Sequence, residues 1–220
     1  MAHTRRPFLD RRHPVHISTK IVPGLASLRG RKLWAAVRRG FAFGCLFHDG
    51  AKRARFRIVH FSVQGRHIHL ICEADSRRWL SRGIQGFKIR VGKAVNKACG
   101  GRTGRVFADR YHERIVTSPT QCRHTLAYVL NNARHHAYEE QATYPRDQVD
   151  PCSSALAFDG WSIERPRAWA LAPPTDTDEL PAVAEPNTWL LRTGWRRAGR
   201  TISPSRVPGL PRNAPALPQW

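Results

Sequence analysis

Residues 55–99, RFRIVHFSVQGRHIHLICEADSRRWLSRGIQGFKIRVGKAVNKAC, are the stretch that decides the fold. Residues 55–63 and 67–73 are rich in β-branched and aromatic side chains, which predicts two strands. The short segment Gln64-Gly65-Arg66 between them predicts a turn, so the two strands form a hairpin. From residue 76 to 99 apolar residues recur at steps of three and four, which predicts a long amphipathic helix.

The flanking segments add two strands and two helices to this centre. Residues 14–22 alternate apolar and polar side chains and predict a half-buried strand, and residues 27–48 predict a helix. Residues 105–116 predict a fourth strand, and a capping box at Ser118 starts a helix that should run from about 119 to 137. This order predicts an α+β fold in which helices pack against a largely antiparallel sheet.

The composition and the hydrophobic patterning of the chain change after about residue 140. Ten of the 16 prolines lie between residues 166 and 220, and no periodic pattern persists there. We interpret residues 141–165 as a strap that packs on the domain, and residues 166–220 as a Pro-rich, largely irregular tail.

Charge is the strongest compositional signal. The net charge is +21, and residues 1–110 contribute +20 of it, with 25 basic and 5 acidic residues. Only six of the 37 basic residues are lysine, and arginine suits bidentate phosphate contacts and stacking on bases. A polyanionic partner, above all nucleic acid, is therefore expected for the first half of the chain.

The same composition excludes other classes of protein. The apolar runs are far shorter than the roughly 20 residues that cross a bilayer, and the N-terminal residues show no secretory signal. Five widely spaced cysteines without a CxxC pair argue against a zinc knuckle or a disulfide framework. A cytoplasmic, nucleoid-associated protein with no membrane partner is expected.

Two histidines on the third strand are candidate metal ligands. His67 and His69 are two residues apart, so their imidazoles project from one face of the strand while Ile68 and Leu70 point into the core. Such a pair makes half of a divalent-metal site. The alternative is two solvated histidines on a sheet face, since a chain with 11 histidines contains chance pairs such as His135-His136.

The last predicted helix supplies a candidate nucleophile. On a projection at 100° per residue, Tyr128 and Asn132 lie one turn apart and opposite the apolar face. A phenol presented to a site can attack a phosphate, and an amide oxygen can complete a metal site. Imidazole, carbonyl and water ligands suit Mg²⁺ or Mn²⁺. An ordinary exposed tyrosine is the alternative, and Tyr111 is a competing nucleophile.

Basic residues on other faces of the long helix form a candidate phosphate-binding stripe. An ordinary solvated helix face is the alternative interpretation. The stripe comprises Arg78, Arg82, Arg90, Lys93 and Lys97.

These motifs, in this order, resemble a known family. RHIHLICEA, the basic helix, GRVFADRYHERIV and RHTLAYVLNNARHH, within residues 10–165, are similar to the REP-associated tyrosine transposases. These belong to the single-tyrosine HUH (His-hydrophobic-His) group. The resemblance implies a ferredoxin-like or RRM-like sheet, recognition of single-stranded DNA hairpins, and cleavage through a 5′-phosphotyrosine. It assigns His67, His69 and Asn132 to the metal and Tyr128 to the nucleophile.

Three functions remain open from the sequence. The first is a metal-dependent single-strand DNA endonuclease and strand transferase, acting as a monomer or a homodimer. The second is a catalytically inactive nucleic-acid-binding regulator of repeat elements. The third is a basic structural or RNA-associated protein. The four matching site residues favour the first over the second, and the family-like order of motifs argues against the third.

Overall fold

The computed structural model of the chain describes residues 7–42, 46–47, 54–140, 142, 144–164, 166–168 and 183–209. Its main sheet contains β1 (Val15–Lys20), β2 (Leu46–Phe47), β3 (Phe56–Val63), β4 (His67–Ala74) and β5 (His112–Ile115). Its helices are α1 (Arg31–Ala42), α2 (Arg77–Ala98), α3 (Pro119–Leu130), α4 (Asn132–Glu139) and α5 (Trp189–Arg192). Two short strands, β6 (Gln148–Val149) and β7 (Arg167–Ala168), form a separate parallel pair.

The main sheet is antiparallel throughout, with the strand order β2-β3-β4-β1-β5. Without the short edge strand β2, the elements follow the order β-α-β-β-α-β, and β1 and β4 lie at the centre. This is the split β-α-β arrangement of ferredoxin-like domains. The predicted α+β class and the ferredoxin-like sheet are therefore confirmed.

The pairing of β1 with β4 defines the two faces of the sheet. Ile17 lies opposite Leu70 on the first face of the sheet, and their side chains join the first core, beneath α1 and α2. Ser18 lies opposite His69 on the second face. Since side chains alternate along a strand, every second residue of β4 enters the first core and the intervening ones face α3.

Two glycines set how closely the helices approach their neighbours on the first face. A Cβ atom at Gly40 in α1 would lie 2.5 Å from a methyl group of Val91 in α2. A Cβ atom at Gly83 in α2 would lie 2.2 Å from the Phe56 ring. The glycines therefore permit backbone contacts that any larger residue would block. In the part of the chain described, no helix has the length and apolarity needed to cross a membrane.

Three predicted elements have different limits in the structure. The helix predicted for residues 27–48 is observed at residues 31–42, residues 46–47 form β2, and residues 43–45 and 48 lie outside the described residues. The fourth strand covers only residues 112–115 and is preceded by an isolated bridge between Ile21 and Phe107. The helix predicted for 119–137 is two helices, because the backbone of Asn131 departs from helical geometry between them. Ser118 caps the first of these, accepting a hydrogen bond from the Gln121 backbone as predicted.

The segment after α4 straps onto β3, as the sequence indicated. Arg29 donates two hydrogen bonds to the buried Asp150 carboxylate, at 2.7 and 2.9 Å. The Val63 backbone N–H donates to the carbonyl of Cys152. These bonds hold the strap against the end of β3 and provide hydrogen-bond partners for the backbone groups of β3 there.

The second face of the sheet is covered by α3 and by a segment that the sequence assigned to the irregular tail. Leu190, Leu191, Trp195 and Ile202 are buried there together with Leu126 and other α3 residues. The interpretation of residues 166–220 as a largely irregular tail therefore does not describe residues 188–202. The remainder of that tail includes residues 169–182 and 210–220, which lie outside the described residues.

A buried carboxylate anchors this segment. Glu73 on β4 accepts hydrogen bonds from the backbone N–H groups of Asn187 and Thr188, at 2.7–3.0 Å. Arg57 lies 3.7 Å from the same carboxylate. A buried carboxyl group needs such partners to offset its desolvation, so Glu73 and residues 187–188 depend on each other for their packing.

Trp195 should therefore contribute to the stability of the whole domain. Trp195 is 1% exposed and Trp189, six residues earlier, is 50% exposed. We expect Trp195→Ala to lower the free energy of unfolding by about 3–5 kcal/mol, and Trp189→Ala by about 1 kcal/mol or less. Equilibrium denaturation in urea measures both. Equal effects of the two substitutions would contradict the assignment of residues 188–202 to the core.

Candidate functional site

The HUH-like pair lies on one face of β4, as the strand alternation predicts. The ring centroids of His67 and His69 are 4.8 Å apart, and the two planes are nearly perpendicular. His69 is 5% exposed and His67 is half-buried. Ile68 and Leu70 are fully buried in the core on the opposite face. The alternative of two fully solvated histidines is therefore excluded.

Each histidine of this pair contacts one further histidine. His16 on β1 stacks on His69, with its Nε2 atom 3.1 Å from Nδ1 of His69. His136 on α4 approaches His67, with the two Nε2 atoms 3.3 Å apart. Sequence reasoning missed both residues. For His16 the alternation of β1 was the available signal, because it places His16 on the polar side of its strand.

The pair His135-His136, interpreted from the sequence as a coincidence, belongs to this cluster. His136 contacts His67, and the His135 ring lies 6.2 Å from the ring of Tyr128. His60 lies on the neighbouring strand β3 but contacts Phe158 and Ser154 instead. The cluster therefore comprises His16, His67, His69, His135 and His136.

Tyr128 lies against the histidine cluster. Its half-buried ring makes edge contacts with His69 and His16, at centroid distances of 5.3 and 5.7 Å. Tyr111, the competing tyrosine, packs on the first core beside α2, where its hydroxyl lies 3.4 Å from Ser81. The sheet separates the two phenols, so only Tyr128 shares a face with His67 and His69.

Asn132 does not occupy the exposed position that the helix projection predicted. That projection is wrong beyond residue 130, because α3 ends at Leu130 and α4 starts at Asn132. Asn132 is fully buried, and neither polar atom of its side-chain amide has a hydrogen-bond partner in the described ranges. It lies one turn before His136 on the same face of α4. Its role as a metal ligand stays a prediction.

Burial keeps the central imidazoles neutral. Desolvation, followed by the nearby His16 and His67, lowers the pKa of His69 to about 2. Desolvation, together with His136 and Lys20, lowers the pKa of His67 to about 4. Desolvation and Arg114 lower the pKa of His16 to about 4. Neutral imidazoles retain a lone pair at neutral pH, which is the state that binds metals.

The residues present fit a divalent cation at the HUH-like pair. Within the described part of the chain, Nε2 of His69 is buried without a hydrogen-bond partner, as is Oδ1 of Asn132. A bound cation would satisfy such atoms, which otherwise carry a desolvation cost. No three His, Cys, Asp or Glu side chains among the described residues form a metal-binding group. A cation here would therefore depend on two histidines plus an amide oxygen and water.

A groove runs beside Tyr128. It has a volume of about 490 Å³, and Tyr128, His69 and His16 lie along it with Arg114 and Arg206. Arg114 extends from β5, and Arg206 comes from the C-terminal segment. Two guanidinium groups beside a phenol provide the positive charge that a phosphodiester backbone requires.

The basic stripe on α2 lies away from this groove. α2 packs on the first face of the sheet through Leu80, Phe87 and Val91, whereas Tyr128 and His69 lie on the second face. Most members of the stripe are exposed, and the Arg82 guanidinium lies over Trp79 at 5.2 Å from the ring centroid. The stripe therefore cannot line the site around Tyr128. The sequence had not separated these two basic surfaces.

Comparisons with known proteins bear on the fold. No protein-family model matches the chain, and no curated protein sequence matches it. Among solved structures, the chain is similar to one described as the structure of a REP-associated tyrosine transposase bound to a REP hairpin. The two share 17% sequence identity with a TM-score of 0.53, over 85% of this chain and 100% of the other. The chain therefore has the fold of that transposase, which agrees with the resemblance that the sequence motifs indicated.

Proposed function

We propose that the chain is a REP-associated tyrosine transposase, which binds single-stranded or hairpin DNA and cleaves and rejoins one strand. One observation carries this proposal. A half-buried tyrosine packs against the HUH-like histidine pair, at a centroid distance of 5.3 Å from the buried His69, beside a basic groove. The fold shared with a transposase bound to a REP hairpin supports the same conclusion.

The groove beside Tyr128 is the proposed binding site for the DNA strand that is cleaved. Arg114 of β5 and Arg206 of the C-terminal segment line it, and both can pair with phosphate oxygens. Both arginines lie outside residues 1–110, so this groove does not account for the +20 charge of the first half. We therefore propose that the α2 stripe makes a second contact, with DNA that continues around the edge of the sheet.

The proposed reaction is an in-line displacement at phosphorus. The hydroxyl oxygen of Tyr128 forms a bond to the phosphorus atom, and the bond from phosphorus to the 3′ oxygen breaks. The phenol loses its proton and the departing 3′ oxygen gains one. The product is a 5′-phosphotyrosine and a free 3′ hydroxyl. Attack by a 3′ hydroxyl reverses these steps and rejoins the strand without ATP.

His67 and His69 would hold the metal in this reaction, with Asn132 as the proposed third ligand. A divalent cation, Mg²⁺ or Mn²⁺, supplies polarisation of the scissile phosphate and screens its charge. The chain contributes the rigidity of the site. Both histidines stand on a central strand, so their rings keep their separation when DNA binds.

Tyr128 can be tested against Tyr111 as a matched control. Tyr128→Phe keeps the ring that packs on His69 and removes only the attacking oxygen, so we expect normal folding and hairpin binding but no covalent DNA adduct. Tyr111→Phe should retain the adduct. Denaturing gels of protein incubated with labelled hairpin oligonucleotides and Mn²⁺ measure this.

Two other results would contradict the proposed role of Tyr128. An adduct that survives in Tyr128→Phe but disappears in Tyr111→Phe would place the nucleophile on the first face of the sheet. Hairpin binding with no adduct in the unmodified chain, across candidate hairpins and with Mg²⁺ or Mn²⁺, would favour the inactive regulator.

The histidine pair should affect cleavage more than binding. We expect the double variant His67→Ala, His69→Ala to lose Mn²⁺-dependent cleavage and to keep hairpin affinity, because phosphate neutralisation supplies most of the binding free energy. His60→Ala is the control, since His60 is half-buried like His67 and lies on the neighbouring strand, but contacts Phe158 and Ser154. Cleavage by the double variant at the rate of the control would refute the assignment.

The α2 stripe predicts a dependence of binding on salt. For single strands, each phosphate contact contributes about 0.7 to the slope of log affinity against log salt concentration. Arg82→Ala and Lys93→Ala should each reduce the slope by up to that amount. Arg167→Ala should not, because its guanidinium is already paired with Asp147 at 2.6 Å. Slopes unchanged in all three variants would show that the stripe is only a solvated helix face.

A further inference from the structure

We propose that His16 is a positioning residue that holds His69 as the Nδ1–H tautomer, with the Nε2 lone pair directed to the metal. The proposal rests on the proposed function for its consequence, but its geometry is independent of it. Nε2 of His16 lies 3.1 Å from Nδ1 of His69, and the two rings stack with centroids 5.3 Å apart.

The antiparallel register explains why these two residues meet. Ser18 on β1 lies opposite His69 on β4, and His16 lies opposite Ile71. His16 and His69 are therefore diagonal neighbours on one face of two central strands, a spacing that long ring side chains can bridge. Both strands are flanked by other strands, so the contact is held by the sheet and does not depend on a loop.

The direction of the hydrogen bond follows from the other nitrogen of His69. A neutral imidazole carries one N–H and one lone pair. Nε2 of His69 is buried and has no hydrogen-bond partner among the residues that the structure describes. If Nε2 carried the proton, an N–H group would be buried without an acceptor, which is rare and costly. The proton therefore belongs on Nδ1, where it is donated to Nε2 of His16.

This tautomer gives His69 the form that a metal ligand needs. Its Nε2 lone pair is free, and its Nδ1–H is anchored by a neighbour. Histidine ligands of metals commonly have such a partner, which fixes the tautomer and the ring orientation. In this chain a second imidazole takes the place of the carboxylate or carbonyl that often serves as that partner.

Long-range ¹H–¹⁵N correlation spectra of the metal-free full chain test the tautomer directly, with the His69 signals identified from a His69→Gln spectrum. We expect His69 as Nδ1–H in the unmodified chain. His16→Gln should keep this tautomer, because its amide oxygen can accept the same hydrogen bond. His16→Phe keeps a stacked ring but has no acceptor, so His69 should shift toward Nε2–H. His112→Phe, an exposed residue opposite Ser18, should change nothing.

Mn²⁺ titration followed by electron paramagnetic resonance supplies a second readout. Loss of such a partner typically lowers metal affinity 10–100-fold. We expect that loss in His16→Phe and its rescue in His16→Gln. His69 found as Nε2–H in the unmodified chain would overturn the proposal, even if His16→Phe failed to fold. So would an unchanged tautomer in His16→Phe.

The same measurements separate this proposal from the proposed function. The tautomer is read without metal or DNA. The expected tautomer pattern in a chain that forms no DNA adduct would count against the transposase activity and leave the positioning role intact. An adduct formed by a chain whose His69 is Nε2–H would do the reverse.

Discussion

The antiparallel pairing of β1 with β4 is the constraint on which the rest of the structure depends. Its register places Ile17 opposite Leu70 on one face and Ser18 opposite His69 on the other. A shift of one residue would exchange the two faces and bury the imidazoles among Phe61, Phe87 and Val91. The apolar core beneath α1 and α2 therefore fixes the register, and the register in turn brings His16, His67 and His69 together.

The second face of the sheet combines an apolar core with a polar site. Near Trp195 it is closed by α3 and the C-terminal segment, which Glu73 anchors through the Thr188 backbone N–H. Toward the other end of the same strands the covering changes to Tyr128 and the histidines. The buried His69 and the half-buried His16, His67 and His136 are compatible with this position, because the contacts of His16 with His69 and of His67 with His136 satisfy polar atoms.

Much of this arrangement could be predicted from the sequence, because local patterns determine it. Strand alternation predicted that His67 and His69 share a face, and helix periodicity predicted α2. The break at Asn131 could not be predicted, because the apolar residues within 126–137 keep the spacing of one continuous helix although the backbone of Asn131 is not helical. Asn132 was therefore misplaced, and His136 was regarded only as part of a chance pair. Trp195 was missed because its burial depends on contacts with α3, about 70 residues earlier. The Pro-rich composition around it indicated irregular structure.

Peptide mapping of the covalent DNA adduct tests the central claim most directly, namely that Tyr128 and the histidine pair form one phosphoryl-transfer site. Trypsin cleaves after lysine and arginine, so it places Tyr128 in the peptide of residues 124–134 and Tyr111 in that of residues 111–114. After cleavage of a hairpin oligonucleotide with Mn²⁺ and digestion of the DNA, mass spectrometry should find a nucleotide attached through its 5′ phosphate to the peptide of residues 124–134. A nucleotide attached to residues 111–114, or to neither peptide of a chain that has cleaved the hairpin, would contradict the account.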